Sequence, residues 1–349
     1  MNWDGVGNEE GVLIWRVENV RDENGNAKFG ISPWPVERKG EFYSGDSYIV
    51  LQTRKDENDL SGSFLYDIYF WIGSESSQDE YGVAAYKANE LDVLLGDVPI
   101  QHREVQFHES NDFMKSLDNK IRYLDGGIES GFRKIDESTG KMSLPTRLFH
   151  VRRDSRVTRC VQVPAQCDSL NQNDAFILQS SDAVYTWFGE SSSPFEKSKA
   201  GQVAHNIVLA SNGNLALVED VTDDNEDFWN AIGGKGDIKA SANESEVNTL
   251  EQYNEETKMY ILTDIESVLK VEECEVKIEN LVSDDVCLLD TGKAIYVWIG
   301  SGSSKREQSQ AMLLAQKHIQ SMGCINKSVV RVKEGQESRV TGFKSALAY

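Results

Sequence analysis

One phrase occurs three times in this 349-residue chain: IYFWIGSESSQDE at 68–80, VYTWFGESSSPFE at 184–196 and IYVWIGSGSSKRE at 295–307. Trp71, Trp187 and Trp298 lie 116 and then 111 residues apart, a spacing of whole domains rather than of solenoid repeats. Whatever the chain folds into is therefore built three times. In each copy the Trp is followed nine residues later by a glutamate: Glu80, Glu196 and Glu307.

A second shared phrase precedes each Trp: SGDSYIVLQ (44–52), QNDAFILQS (172–180) and SDDVCLLDT (283–291). Each sets an aspartate (Asp46, Asp174, Asp285) just before a β-prone run. The runs Tyr48–Leu51, Phe176–Leu178 and Val286–Leu289 read as strands, with hairpin partners at 68–72, 184–188 and 295–299. The insert RKDENDLSGS lengthens the first hairpin.

Gly and Ser residues then turn the chain into a long helix, expected at 77–95, 194–211 and 304–322. Ser77, Ser193 followed by Pro194, and Ser304 serve as starts, and Gly96, Gly213 and Gly323 as stops. A short helix closes each copy at 111–117, 226–232 and 341–347, with Phe113, Phe228 and Phe343 as core anchors. The unit is strand, strand, long helix, strand, short helix, which makes the fold class α/β (α+β). Domains are expected at 1–132, 145–235 and 257–349, joined by polar linkers at 133–144 and 236–256.

Composition narrows the function. A net charge of −21 argues against nucleic acid as a partner. No apolar run reaches the roughly 20 residues of a membrane span. The start MNWDGVGNEEG lacks the charged and apolar regions of a signal peptide, so a cytoplasmic protein is expected. Five cysteines without CxxC pairs argue against a disulfide framework and a structural zinc site. The sequons at Asn243 and Asn326 would then stay unused. DENGNAKFGISP (22–33) opens like an EF-hand loop but has Ala27 and Pro33 where that loop needs Gly and Glu. No Walker or GxSxG sequence occurs, the histidines lack metal-ligand spacing, and His102 and His108 read as surface residues. No enzyme is expected.

The repeated carboxylates carry the chemistry. Adjacent strands lie about 5 Å apart, so a hairpin can bring its two ends together and let Asp46 meet Glu80, Asp174 meet Glu196, and Asp285 meet Glu307. Paired carboxylates repel unless a proton or cation intervenes, and oxygen-only ligands suit Ca²⁺. The competing explanation is that each Glu only complements its helix dipole, worth about 0.3–1 kcal/mol.

Longer stretches extend the argument. FYSGDSYIVL, YFWIGSESSQDEYGVAAYKANELD, QHREVQFHES and GGIESGF resemble the first domain of the gelsolin family, and RLFHVRR with NDAFIL resembles the start of its second. Three copies fit the three-domain, severin- and fragmin-like short gelsolins. The resemblance implies three domains, each a mixed sheet between one long and one short helix. It implies Ca²⁺-regulated severing of actin filaments and capping of their barbed ends by a cytoplasmic, cytoskeletal monomer that binds both actin monomer and filament.

It also implies ligand sets: Gly45, Asp46, Glu80 and the Ile128 carbonyl in the first domain; Asn173, Asp174, Glu196 and Glu244, preferred over Glu246, in the second; Asp284, Asp285 and Glu307 in the third. A further Ca²⁺ shared with actin would use Asp92 and the carbonyls of Asp97 and Pro99. Here LDV stands where the family has LDD, so Val93 departs. Tyr81, Ala85, Tyr86, Asn89 and Asp92 would face actin. Arg147, Arg152, Arg153, Arg156 and Arg159 would bind phosphoinositide lipids, in keeping with Arg's bidentate phosphate geometry. Capping without severing, or a calcium-dependent phosphoinositide-binding adaptor, are the alternative readings.

Overall fold

The computed structural model describes residues 3, 5–21, 27–57, 62–127, 145–154, 157–211, 214–241, 256–265, 268–321 and 326–347. Its elements run β1 (Gly11–Arg21), β2 (Ala27–Pro33), β3 (Glu41–Tyr43), β4 (Ser47–Lys55), β5 (Phe64–Ile72), α1 (Gln78–Leu94), β6 (Ile100–Val105), α2 (Asn111–Ser116) and β7 (Arg122–Leu124). The second repeat follows with β8 (Arg147–Asp154), β9 (Val157–Val163), β10 (Ala175–Gln179), β11 (Ala183–Phe188), α3 (Pro194–Ala210), β12 (Ala216–Val218) and α4 (Glu226–Ala231). The third has β13 (Lys258–Ile265), β14 (Val268–Cys274), β15 (Val286–Asp290), β16 (Ala294–Ile299), α5 (Lys305–Ser321), β17 (Ser328–Lys333) and α6 (Thr341–Leu347). All six helices fall within one residue of the expected bounds.

The chain divides into two compact units, one of Met1–Trp34, Ser47–Ser116 and Leu250–Tyr349, the other of Pro35–Asp46 and Leu117–Thr249. The first unit holds a ten-stranded sheet in the order β14-β13-β15-β16-β17-β6-β5-β4-β1-β2. Its two five-stranded halves have the same internal order and meet where β17 pairs antiparallel with β6, Val330 opposite His102. The second unit holds the sheet β12-β11-β10-β8-β9-β7-β3, so β3 and β7, within residues 1–132, lie in the second repeat's sheet.

Register makes the repeats comparable. Trp71 stands opposite Tyr48, Trp187 opposite Phe176 and Trp298 opposite Cys287. The strand after each long helix adds parallel to the Trp strand, which makes each set mixed.

The helices cover opposite faces, as alternation of side chains along a strand requires. In the first repeat Ala84, Ala88 and Leu91 of α1 pack on Ile49, Ile68 and Phe70, while Phe113 of α2 lies against Tyr69 with ring centres 5.2 Å apart. In the third, Ala311, Ala315 and Ile319 meet Val286, Ile295 and Val297, while Phe343 meets Met259, Cys287 and Trp298. Phe113, Phe228 and Phe343 are fully buried, as expected of core anchors.

Two expectations need correction. The sequence reading omitted the hairpin that opens each repeat (β1–β2, β8–β9, β13–β14), because charged residues interrupt its apolar alternation. His102 is not a surface residue. It is buried, its Nε2 lies 2.9 Å from Asp67 Oδ1, and its ring stacks on Tyr69. The cause is that β6 lies inside the ten-stranded sheet, covered by a strand from the far end of the sequence.

Candidate functional site

The nine-residue interval from Trp to Glu has a local explanation. Ser77 Oγ accepts from the Glu80 backbone N–H, and Glu80 Oε2 accepts in return from the Ser77 N–H at 3.0 Å. Ser193 with Glu196 and Ser304 with Glu307 form the same reciprocal pair. These are capping boxes, each satisfying two helix-end donors. The S-x-x-E spacing was visible in the sequence. The Trp has its own glutamate partners, which the sequence reading missed: its indole N–H donates to Glu109 in the first repeat and to Glu337 in the third.

A cap uses one carboxylate oxygen, and the surroundings of the rest differ between repeats. In the third, burial pushes the Asp285 carboxyl above its ordinary range, and the charges of Glu307 and Asp284 push it further, against a hydrogen bond with Thr263. The charges of Asp284 and Glu307 thus both act on Asp285, which sets acidic side chains against one another at this end of the hairpin. This excess of negative charge fits a hard divalent ion.

In the second repeat Asp174 Oδ2 takes hydrogen bonds from His150 at 2.7 Å and Asn171 at 2.9 Å. Burial acts to raise its pKa, but those bonds and the charges of His150 and Arg152 outweigh it and hold the carboxyl below its ordinary value. Glu196 is buried, and its Oε1 accepts from the Arg153 N–H at 2.8 Å. Asn173 is exposed, its N–H bonded to Asn171. This site is already satisfied by the protein. Glu244 lies outside the described residues, as does Ile128.

In the first repeat the Gly45 N–H donates to the Gly126 carbonyl at 2.7 Å, which brings Asp46 to the GGI turn. A Cβ on Gly127 would lie 2.8 Å from Asp46 Oδ1, so only glycine leaves that carboxylate room. Asp46 and Glu80 belong to different compact units and are each described within their own.

Asp92 shows a different arrangement. It is buried at the end of α1, and its Oδ2 meets Gln101 Nε2 at 2.8 Å, Arg331 at 3.2 Å and Lys333 at 3.8 Å. Its Oδ1 is also buried and has no hydrogen-bond partner. The Lys333 ammonium additionally donates to the Asp97 carbonyl, and Gln336 Nε2 to the Val98 carbonyl at 2.8 Å. Burial raises the Asp92 carboxyl despite the two cations. Two oxygens expected to hold a shared ion, the Asp92 carboxylate and the Asp97 carbonyl, are thus held by a lysine of β17. A cation stands there already, while Oδ1 is left without a hydrogen bond. Pro99 is buried beside them in sequence. Arg331 and Lys333 alternate along one strand, a pattern visible in the sequence without its partner.

Among the residues expected to face actin, Tyr86 and Asn89 are exposed, while Tyr81 and Ala85 are half-buried against the core of the first repeat. Val93, Leu94 and Val98 add exposed apolar surface near the same helix end. In the basic group, Arg152 stands directly opposite Arg159 across β8–β9. Arg153 stacks over Phe195 at 3.7 Å, and Arg147 donates to the Tyr43 hydroxyl. Arg156 lies outside the described residues. Among the described residues no three His, Cys, Asp or Glu side chains form a ready metal cluster.

Three related sets of strands in two sheets, each set with a long capped helix on one face and a short helix on the other, define a chain of three repeated α/β domains, and sequence comparison gives the family. The gelsolin repeat matches at residues 38–114, 156–226 and 267–340. The chain is 38% identical over 339 residues to a cytoplasmic gelsolin of Homarus americanus, covering 92% of this chain and 42% of that protein. It is 33% identical over 342 residues to gelsolin-like protein 1 of Lumbricus terrestris, covering 96% and 86%. It is 34% identical over 320 residues to the actin depolymerising venom protein gelsolin 1 of Platymeris rhadamanthus, covering 89% and 81%. The chain belongs to the gelsolin family, with three gelsolin repeats. It spans less than half of the lobster protein and most of the other two.

Proposed function

We propose that this chain is a calcium-regulated, non-enzymatic actin-binding protein of the cytoplasm and cytoskeleton that severs filaments and caps their barbed ends. The observation that carries the reading is the hold of Arg331 and Lys333 on Asp92 and the Asp97 carbonyl. The acidic end of α1, where a shared ion would be ligated, is taken by the third repeat, while Tyr86, Asn89 and the apolar residues beyond them stay exposed. A helix with an exposed apolar edge suits a helix-in-groove contact.

Asp284, Asp285 and Glu307 are the side chains best suited to hold calcium in the third repeat, because burial and the charges of its two acidic neighbours raise the Asp285 carboxyl. Bound calcium would supply positive charge to offset that repulsion. Repulsion among the three acids keeps the third repeat responsive, and the release of β17 from β6 would free Asp92.

The test is a pyrene-actin depolymerisation assay with and without calcium, read beside single filaments under the microscope. Calcium-dependent acceleration with new breaks is expected. Growth arrest without breaks would reduce the activity to capping, and no effect on filaments at either calcium level would overturn the reading.

The pairing of Arg152 with Arg159 supports a second reading, a phosphoinositide-responsive surface on β8–β9. Two guanidinium groups directly opposite on a ladder concentrate positive charge there, which suits a phosphate-bearing partner. Binding to phosphoinositide vesicles should fall on Arg152→Glu, and unchanged binding would remove this reading.

A further inference from the structure

The third repeat has a cavity beneath its long helix. It has a volume of about 300 Å3 and lies between α5 and the strands β13, β15 and β16. Its apolar walls include Tyr260, Leu262, Leu288, Val297, Ala311 and Leu314.

Register shows what occupies this place elsewhere. Tyr260 stands opposite Leu288, one step from the Cys287–Trp298 pair. The same position in the first repeat is Trp15, opposite Ile49, and in the second Phe149, opposite Ile177. Each of those rings is covered by another part of the chain. Trp3 lies edge-on against Trp15 with ring centres 5.2 Å apart, and the Arg122 guanidinium lies 5.1 Å over Phe149. Trp15 is 7% and Phe149 0% exposed. Tyr260 is only half-buried and lines the cavity, and the ring beside it is the His318 imidazole of α5 itself, with ring centres 5.0 Å apart.

The polarity of the cavity mouth can be read by comparison with α1. Trp3 is pinned by its indole N–H, which donates to Glu90 Oε1 at 2.7 Å. Glu90 stands ten residues after the capping Glu80, and the same step from Glu307 reaches Lys317, which lines the cavity. An acceptor in the first repeat is therefore a cation in the third. Lys317 is exposed and forms no ion pair among the described residues. The neighbouring charges are already matched: Lys327 Nζ contacts both Asp290 oxygens, at 2.9 and 3.0 Å, and His318 Nε2 lies 3.0 Å from Asp290 Oδ2.

We propose that this cavity binds a small apolar monoanion, an alkyl or aryl carboxylate of about ten carbons, with its body against Tyr260 and its carboxylate at Lys317. The volume lies at the lower end of ligand sites, which are mostly apolar with a few placed polar groups.

Titration calorimetry of the full chain with decanoate, and with decan-1-ol as the uncharged control, tests this. One-to-one saturable binding of decanoate is expected, weakened at least tenfold by Lys317→Glu. Decanol binding, weaker from the start, should be unchanged by that surface substitution. Leu288→Trp, which fills the cavity, should abolish both, with the melting temperature checking that the variant folds. If it does not fold, the Lys317→Glu comparison decides alone. No saturable decanoate binding, or decanoate binding indifferent to Lys317→Glu, overturns the proposal.

Discussion

Asp174 in the second repeat and Asp285 in the third stand at the same place, one residue before the strand that faces the Trp. Their carboxyls nevertheless shift in opposite directions. The difference comes from the neighbouring strand. Opposite Phe176 in the second repeat is His150, which binds Asp174, and opposite the matching Cys287 is Ile261, which offers no hydrogen bond. One scaffold thus carries a carboxylate whose bonds outweigh its burial in one copy, and in another a carboxylate whose burial and acidic neighbours outweigh its bond to Thr263. Asp92 is a third case, supplied with cations by β17. Repetition preserves where a carboxylate is held, and the adjoining strand decides whether it still needs a partner.

The comparison can be broken most strongly at Asp92. Arg331→Ala with Lys333→Ala should leave a buried carboxylate unpaired at a cost of about 3–5 kcal/mol. Limited proteolysis should then show β17 opening from β6, and actin binding should lose much of its calcium dependence. An intact junction with unchanged calcium dependence would contradict the proposed hold.

His150→Ile makes the second repeat imitate the third. Loss of the bond to Asp174 should destabilise the second unit by about 1–3 kcal/mol in urea unfolding. The reverse change, Ile261→His, should offer Asp285 a partner and reduce the rise in melting temperature caused by calcium.

Acid should separate the two sites by sign. The Asp174 carboxyl is depressed, so its stabilisation is present above the ordinary aspartate pKa and lost as pH falls through the folded value. The Asp285 carboxyl is raised, so its favourable contribution is present below the ordinary pKa and lost as pH rises through the folded value. Hydrogen exchange of β10 and β15 between about pH 5 and 2 should show protection falling in β10 with acidification relative to β15. Asp285→Asn should stabilise the calcium-free third repeat at neutral pH, seen as a higher melting temperature.

The smallest effect concerns what the repeats share. Ser193→Ala and Ser304→Ala should each cost about 1 kcal/mol, and by similar amounts, because each removes the same cap. A much larger loss at Ser304 alone would show that the cap and the acidic cluster are coupled.

Much of this was legible beforehand. Helix bounds, the Trp hairpins and the three buried phenylalanines followed from caps, period-two alternation and repetition. The capping boxes themselves were written as S-x-x-E and passed over for the sharper metal reading, although Glu80, Glu196 and Glu307 can serve both purposes. The opening hairpins were lost because their charges break the alternation. Lys333 could not be assigned to Asp92, since nothing local says which strand β17 will join.

The sequence by itself determined the three repeats, their helices and caps, and the placing of an aspartate and a glutamate at the ends of each hairpin. Those features depend on residues a few positions apart, within reach of one turn or one helix end. The tertiary structure alone decided the burial of His102, the capture of Asp92 and the opposite states of Asp174 and Asp285. Each depends on which strand lies alongside, as where Arg103 donates to the Lys327 carbonyl across 224 positions of sequence. Backbone pairing is nearly indifferent to side-chain identity, so those neighbours become fixed only when the sheets assemble.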